Sequence, residues 1–112
     1  MDLKPVEALK LWHDVVARSV RDDAPDLSAR QMAILLTVYL SPPPHTVRGL
    51  AEGLNISKPA ITRALDAMGR LGLLKRKRDE ADKRNVLIQR TVKGSVFLSD
   101  FAEAIAARAR EL

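Results

Sequence analysis

Two short helical segments separated by three residues constrain this chain more than anything else in it. VRGLAEGL and KPAITRALDAM flank Asn55-Ile56-Ser57. Thr46 stands just before the first segment and Ser57 just before the second, where a side-chain oxygen can accept from a free first-turn N–H. Pro59 fits a first turn, because the N–H it lacks would find no intrahelical partner there. Asn55 sits where the chain must leave the first helix, and asparagine tolerates the left-handed backbone that such an exit uses. Ala51 is small where the helices cross, and Leu50, Leu54, Ile56 and Ile61 fill the space between them. This is the helix-turn-helix pattern. The second helix carries Ile61, Ala64, Leu65 and Met68 at helical spacing and ends near Gly69 to Gly72.

The flanking sequence sets the surroundings. LLKRKRD (Leu73 to Asp79) and NVLIQRT (Asn85 to Thr91) are strand-like and joined by a polar turn, which predicts a β-hairpin with a charged tip. Thr91 caps a last helix whose Phe97, Leu98, Phe101, Ile105 and Leu112 share one face. Upstream, Ser28-Ala-Arg-Gln31 reads as a capping box with Leu27 and Met32 placed for a hydrophobic staple. The nearly all-apolar run Met32 to Leu40 then predicts a helix central to the core, stopped by Ser41-Pro-Pro-Pro-His45. Lys4 to Asp22 predicts a first helix with an apolar arc of roughly 200°, wider than the ~100° stripe that one core contact requires. Gly49 inside a helix costs about 0.5–1 kcal/mol unless close packing uses it.

The predicted fold is mainly α with a small β-hairpin: a winged helix-turn-helix flanked by N- and C-terminal helices. It forms a single winged-helix domain over residues 1–112. Residues 1–26 hold an N-terminal dimerisation helix, 27–91 the winged core and 92–112 the C-terminal helix. The length of 112 residues suits one domain of modest core.

Charge is segregated along the chain. From Arg48 to Arg90 stand 11 Lys/Arg against 5 Asp/Glu, a surplus of +6, while the remainder is about −1. Segregated charge of one sign is the footprint of a polyanionic partner. With no cysteine, disulfides, thiol catalysis and cysteine-ligated zinc are excluded, in keeping with a reducing cytoplasm. No run of 18 apolar residues is present, so no membrane span is expected. The opening MDLKPVEALK lacks the basic and apolar regions of a signal peptide. His13 and His45 have no spaced carboxylate or cysteine beside them, so neither reads as a metal ligand, and His13 fits a core or dimer position better. No phosphate loop, nucleophile elbow or carboxylate pair occurs, so an enzyme and a bound cofactor are not expected.

The basic segment contains the candidate site. The second helix of a helix-turn-helix enters the DNA major groove N-terminal end first, where free N–H groups and the positive dipole end favour phosphate. Ser57 and Thr62 can hydrogen-bond phosphate or a base edge, and Pro59 and Ala60 permit close approach and contact with a thymine methyl. Lys58 and Arg63 supply charge, Arg63 with a fork suited to guanine. A capped helix with a solvated face would need no partner. The hairpin weighs against that, since Lys75, Arg76, Lys77, Arg78, Lys83 and Arg84 cluster there and like charges on adjacent strands destabilise a sheet.

In this order, LSARQMAIL, TVRGLAEGLNISKPAITRALDAMGRLGLLKR, the DEADKR tip and the closing RTVKG resemble the MarR (multiple antibiotic resistance regulator) family of winged-helix transcription factors over Leu27 to Gly94. The resemblance implies that Ser57 to Arg70 is the recognition helix, that Arg84 reaches the minor groove, and that Asp82 holds Arg84 by an ion pair. It implies double-stranded DNA as partner, a homodimer, repression, and a small aromatic acid as effector. Trp12, His13 and Tyr39 are the candidates for lining an effector pocket, though each fits a packing role better. The chain leaves little room for the family's usual final dimer helix, so the half-site spacing stays open. A winged helix that meets an acidic protein instead of DNA is the alternative.

Overall fold

The computed structural model describes residues 2–112. Five helices and two strands follow in the order α1 (Pro5–Arg21), α2 (Ala29–Leu40), α3 (Val47–Leu54), α4 (Lys58–Arg70), β1 (Leu74–Arg78), β2 (Val86–Arg90) and α5 (Val92–Arg110). They fall into two compact units: Leu27–Val96, and the N-terminal segment up to Asp26 with Phe97–Leu112. The division lies inside α5, five residues beyond the expected boundary at residue 91. No helix among the described residues is long and apolar enough to cross a membrane.

In the unit Leu27–Val96, capping chemistry fixes where each helix starts. Ser28 Oγ accepts from the Gln31 N–H at 3.1 Å, and the Gln31 side chain accepts from the Ser28 N–H at 2.9 Å. Thr46 Oγ1 accepts from Gly49 N–H at 3.0 Å and Ser57 Oγ from Ala60 N–H at 3.3 Å. Asn55 ends α3 in the left-handed region at φ 54°. A Cβ on Gly49 would stand 3.2 Å from Thr46 Oγ1, so the glycine gives the capping hydroxyl room. The core is built from Ile34, Leu35 and Val38 of α2, Leu50 and Ala51 of α3, and Ile61, Ala64, Leu65 and Met68 of α4, with Leu73, Leu74 and Ile88 at the base of the hairpin. Each large aliphatic among them contributes about 1.5–3 kcal/mol by leaving water. Leu40, at the end of the apolar run, is instead exposed.

The strands pair antiparallel from Leu74 opposite Arg90 to Arg78 opposite Val86. The sheet gains an edge that sequence reading did not find: Thr46 bridges Leu87, and the Ile88 N–H donates to the His45 carbonyl at 2.8 Å. The segment after the prolines therefore caps α3 and extends the sheet together.

One side chain ties the base of the hairpin to α2. Tyr39 Oη accepts from the Thr91 N–H at 3.0 Å and lies 3.2 Å from the Leu73 carbonyl and 3.0 Å from that of Thr91. Thr91 Oγ1 in turn donates to the Gly72 carbonyl and accepts from the Gly94 N–H. The candidate effector residue Tyr39 is thus committed to the fold: its hydroxyl bonds to the residue before β1 and to the residue that joins β2 to α5. Arg90 lies over its ring, 5.6 Å from the centroid, and donates to the Val38 carbonyl.

In the other unit Val15 is buried, while Val6, Leu9, Trp12, Val16 and Val20 of α1 are exposed along one stripe. His13 is also exposed, its side chain 79% accessible, so it is no core residue of this protomer. The rings of Phe97 and Phe101 stack, with centroids 6.4 Å apart.

Glycines separate packing from propensity. A Cβ at Gly94 would collide with Tyr39 Oη and the Leu73 carbonyl, whereas nothing lies within 4 Å of one at Gly53. Gly94→Ala should therefore destabilise the protein by about 1–3 kcal/mol through overpacking, and Gly53→Ala should stabilise it by about 0.4–1 kcal/mol. Urea denaturation of both variants checks the opposite signs.

Candidate nucleic-acid interface

The recognition-helix candidate α4 divides cleanly. Ile61, Ala64, Leu65 and Met68 face the core, and at its N-terminal end Ser57, Lys58, Pro59, Thr62 and Arg63 are exposed. Ala60 departs from expectation. It is only 6% exposed and belongs to the core, so it cannot meet a thymine methyl. The reason is geometric: residues 60, 61, 64, 65 and 68 lie on one helical face, and the small side chain lets α4 lie close where α4 meets its neighbours. The Ser57 hydroxyl is already engaged in capping.

The wing separates the predicted basic residues into two kinds. Lys75, Lys77, Arg78 and Lys83 are exposed, and none of them forms an ion pair among the described residues. Arg76 is different. It shares a sheet face with Leu74 and Ile88 and turns its guanidinium back to Asp66 of α4, at 2.6 Å. A cation on the inward face of the hairpin gains from a carboxylate there, and Arg76 so ties β1 to α4. Asp66 had no sequence signal, because its partner is ten residues away and on another element.

At the tip, Asp82 grips Arg84 with both oxygens, at 3.0 Å to Nε and 3.1 Å to Nη2, and also accepts from the Arg84 N–H at 3.1 Å. This fork-to-fork geometry fixes the guanidinium in orientation as well as distance. The Arg84 side chain remains 89% exposed, so it is held out into solvent. Hydrogen bonds from Arg84, with a smaller contribution from the charge of Arg48, keep the Asp82 carboxyl below its ordinary pKa, and the same bonds raise that of Arg84.

Arg48 was not among the expected site residues. It lies on α3 and, with Thr46, Lys58, Asp82, Arg84 and Asn85, lines a cleft of about 350 Å³ between the starts of α3 and α4 and the wing tip. Among the described residues no group of three His, Cys, Asp or Glu could hold a metal ion.

The chain is similar to known proteins in family and in fold. The MarR family model matches residues 27–86. Among solved structures, the S. aureus MepR–DNA complex superposes with a TM-score of 0.76 at 19% identity, covering 95% of this chain and 82% of that one. YusO from Bacillus subtilis gives 0.76 at 20% identity, with 96% and 75% covered. CouR from Rhodococcus jostii, bound to p-coumaroyl-CoA, gives 0.66 at 22% identity, with 89% and 66% covered. Comparison with curated proteins yields no match.

The wing-tip pair sets a pH dependence. A carboxyl whose folded-state pKa is lowered contributes order above its unfolded pKa, and that contribution is lost as pH falls through the lowered value. Asp82 should therefore titrate below the ordinary aspartate value of about 3.9, and the Arg84 Nε–H signal should persist at pH 4. An NMR titration of the Asp82 carboxyl carbon, in wild type and Arg84→Ala, checks this: the midpoint should move back up in the variant.

Proposed function

The chain belongs to the MarR family of DNA-binding transcription regulators, and is not an enzyme; on that premise we propose that it binds double-stranded DNA sequence-specifically as a homodimer and acts as a repressor. The observation that carries the reading is the exposed N-terminal end of α4 beside a wing whose Lys75, Lys77, Arg78 and Lys83 are exposed. In this reading α4 enters the major groove with Ser57, Lys58, Pro59, Thr62 and Arg63 leading. The wing lies along the backbone with Arg78 and Lys83, and Arg84 enters the minor groove, oriented by Asp82. Arg76 acts through its tie to Asp66. The protein works in the cytoplasm, where its DNA is, and answers to a small aromatic effector, on the precedent of CouR with p-coumaroyl-CoA.

The α1 stripe supports the dimer. Val6, Leu9, Trp12 and Val20 are each at least 61% exposed, and a contiguous apolar patch of this kind marks an association surface. Two-fold symmetry then sets two recognition helices about 34 Å apart on a pseudo-palindromic site.

Arg63 and Arg84 should differ in what they read. On a panel of single-base variants of a site selected from random DNA, Arg63→Ala should lose discrimination at one base pair by about 1–3 kcal/mol. Arg84→Ala should weaken binding across the panel, most where an A·T-rich minor groove is narrow. Equal weakening of every site by both would remove the base-reading role, and failure of the wild type to prefer any duplex would favour a protein partner.

Sedimentation equilibrium at micromolar concentration should give a mass of two protomers, and Val16→Glu should reduce it to one. A wild-type mass of one protomer throughout would remove the dimer and the palindrome together.

A further inference from the structure

Four charged groups line the cleft between α3, α4 and the wing tip: Arg48, Lys58 and Arg84 as cations, and Asp82 as the carboxylate. Asp82 is consumed by Arg84, which takes both its oxygens. Arg48 acts on Asp82 through space, and neither it nor Lys58 forms an ion pair among the described residues. The cleft is therefore left with two uncompensated positive charges, on two different helices, facing one opening. Nothing in the fold explains why Arg48 should stand there. It is exposed, it lies outside the core, and α3 does not need it for capping, which Thr46 supplies.

We propose that this cleft seats one backbone phosphate of the bound duplex and that Arg48 of α3 holds it. The proposal rests on the DNA-binding reading. A planar guanidinium matches two phosphate oxygens at once, and Lys58 adds a point charge from the first turn of α4. The first helix of a helix-turn-helix crosses the backbone rather than reading bases, so a cation carried by α3 meets phosphate. Because the third wall of the cleft is the wing tip, a seated phosphate would join α3, α4 and the Asp82–Arg84 pair around a single anion. Arg48 is thus a phosphate-binding residue of the interface, outside the helix and wing that would meet the grooves.

The test is the salt dependence of binding to a duplex selected from random DNA. It uses wild type, Arg48→Ala, Arg48→Lys and, as a control, Arg30→Ala, which removes an exposed cation far from the cleft in sequence. The log–log slope should fall in magnitude by about 0.9 per bound protomer in Arg48→Ala. Binding to all single-base variants should weaken alike, Arg48→Lys should recover the slope, and Arg30→Ala should leave it unchanged. A neutral methylphosphonate walked along the backbone should reach one position per half-site where wild type loses affinity and Arg48→Ala loses nothing further. An unchanged slope in Arg48→Ala beside a steep wild-type slope overturns the seat and leaves DNA binding intact. So do equal losses from Arg48→Ala and Arg30→Ala, selective loss at one base pair, or a backbone scan with no such position. A wild type with no affinity or a flat slope overturns the DNA reading itself, and the seat with it.

Discussion

The burial of one face of α4 is the constraint on which the rest depends. Ile61, Leu65 and Met68 are at most 2% exposed, and three elements use them as their common floor: α2, α3 and the start of the hairpin. Removing that much apolar surface from water fixes the rotation of α4 about its own axis to within a fraction of a turn. The opposite edge, with Lys58, Thr62 and Arg63, is then presented outward without any interaction of its own to orient it. A helix with the same polar residues and a weaker apolar face would display them in many orientations and bind nothing selectively.

The hairpin is fixed to that floor by polar contacts as well as by Leu73, Leu74 and Ile88, which are buried at its base. Two strands of five residues cannot hold themselves in water. They are held at the base by the Tyr39 hydroxyl and the Thr91 side chain, at the edge by the His45 carbonyl, and along β1 by Arg76 on Asp66. The glycine at position 94 belongs to this arrangement, since any side chain there would occupy the space of the Tyr39 hydroxyl. At the far end acidic and basic residues share a short turn, closed by the Asn85 N–H on the Asp82 carbonyl and the Ala81 N–H on the Asp79 carboxylate, and the Asp82–Arg84 pair orients the guanidinium there. The wing is thus firm where it meets the core, and at its tip turn hydrogen bonds and one ion pair give it shape.

How much was legible in the sequence follows from the range of the interactions involved. Caps, helix faces and the hairpin depend on neighbours within a few residues, and so the starts of α2, α3 and α4, the left-handed Asn55 and the two strands could be read from spacing. The Asp82–Arg84 pair was reached by family resemblance, its partners being two residues apart. The burial of Ala60 is not legible in the sequence, because an alanine in a first turn has no polarity to say which way it faces. The roles of Tyr39, Asp66, Arg76 and Arg48 could not be read, because each acts on a residue or a cleft wall brought close only by folding.

The sequence by itself determined the kinds of element, their order and the concentration of positive charge between Arg48 and Arg90, because period, capping and composition are local quantities. Only the tertiary structure decided which of those charges are free to act. It neutralised Arg76 with Asp66, committed the hydroxyl of Tyr39, buried Ala60, and brought Arg48 from α3 to the same cleft as Lys58 and Arg84. A charge binds through what surrounds it, and at these positions the surroundings come from segments ten to fifty residues away along the chain.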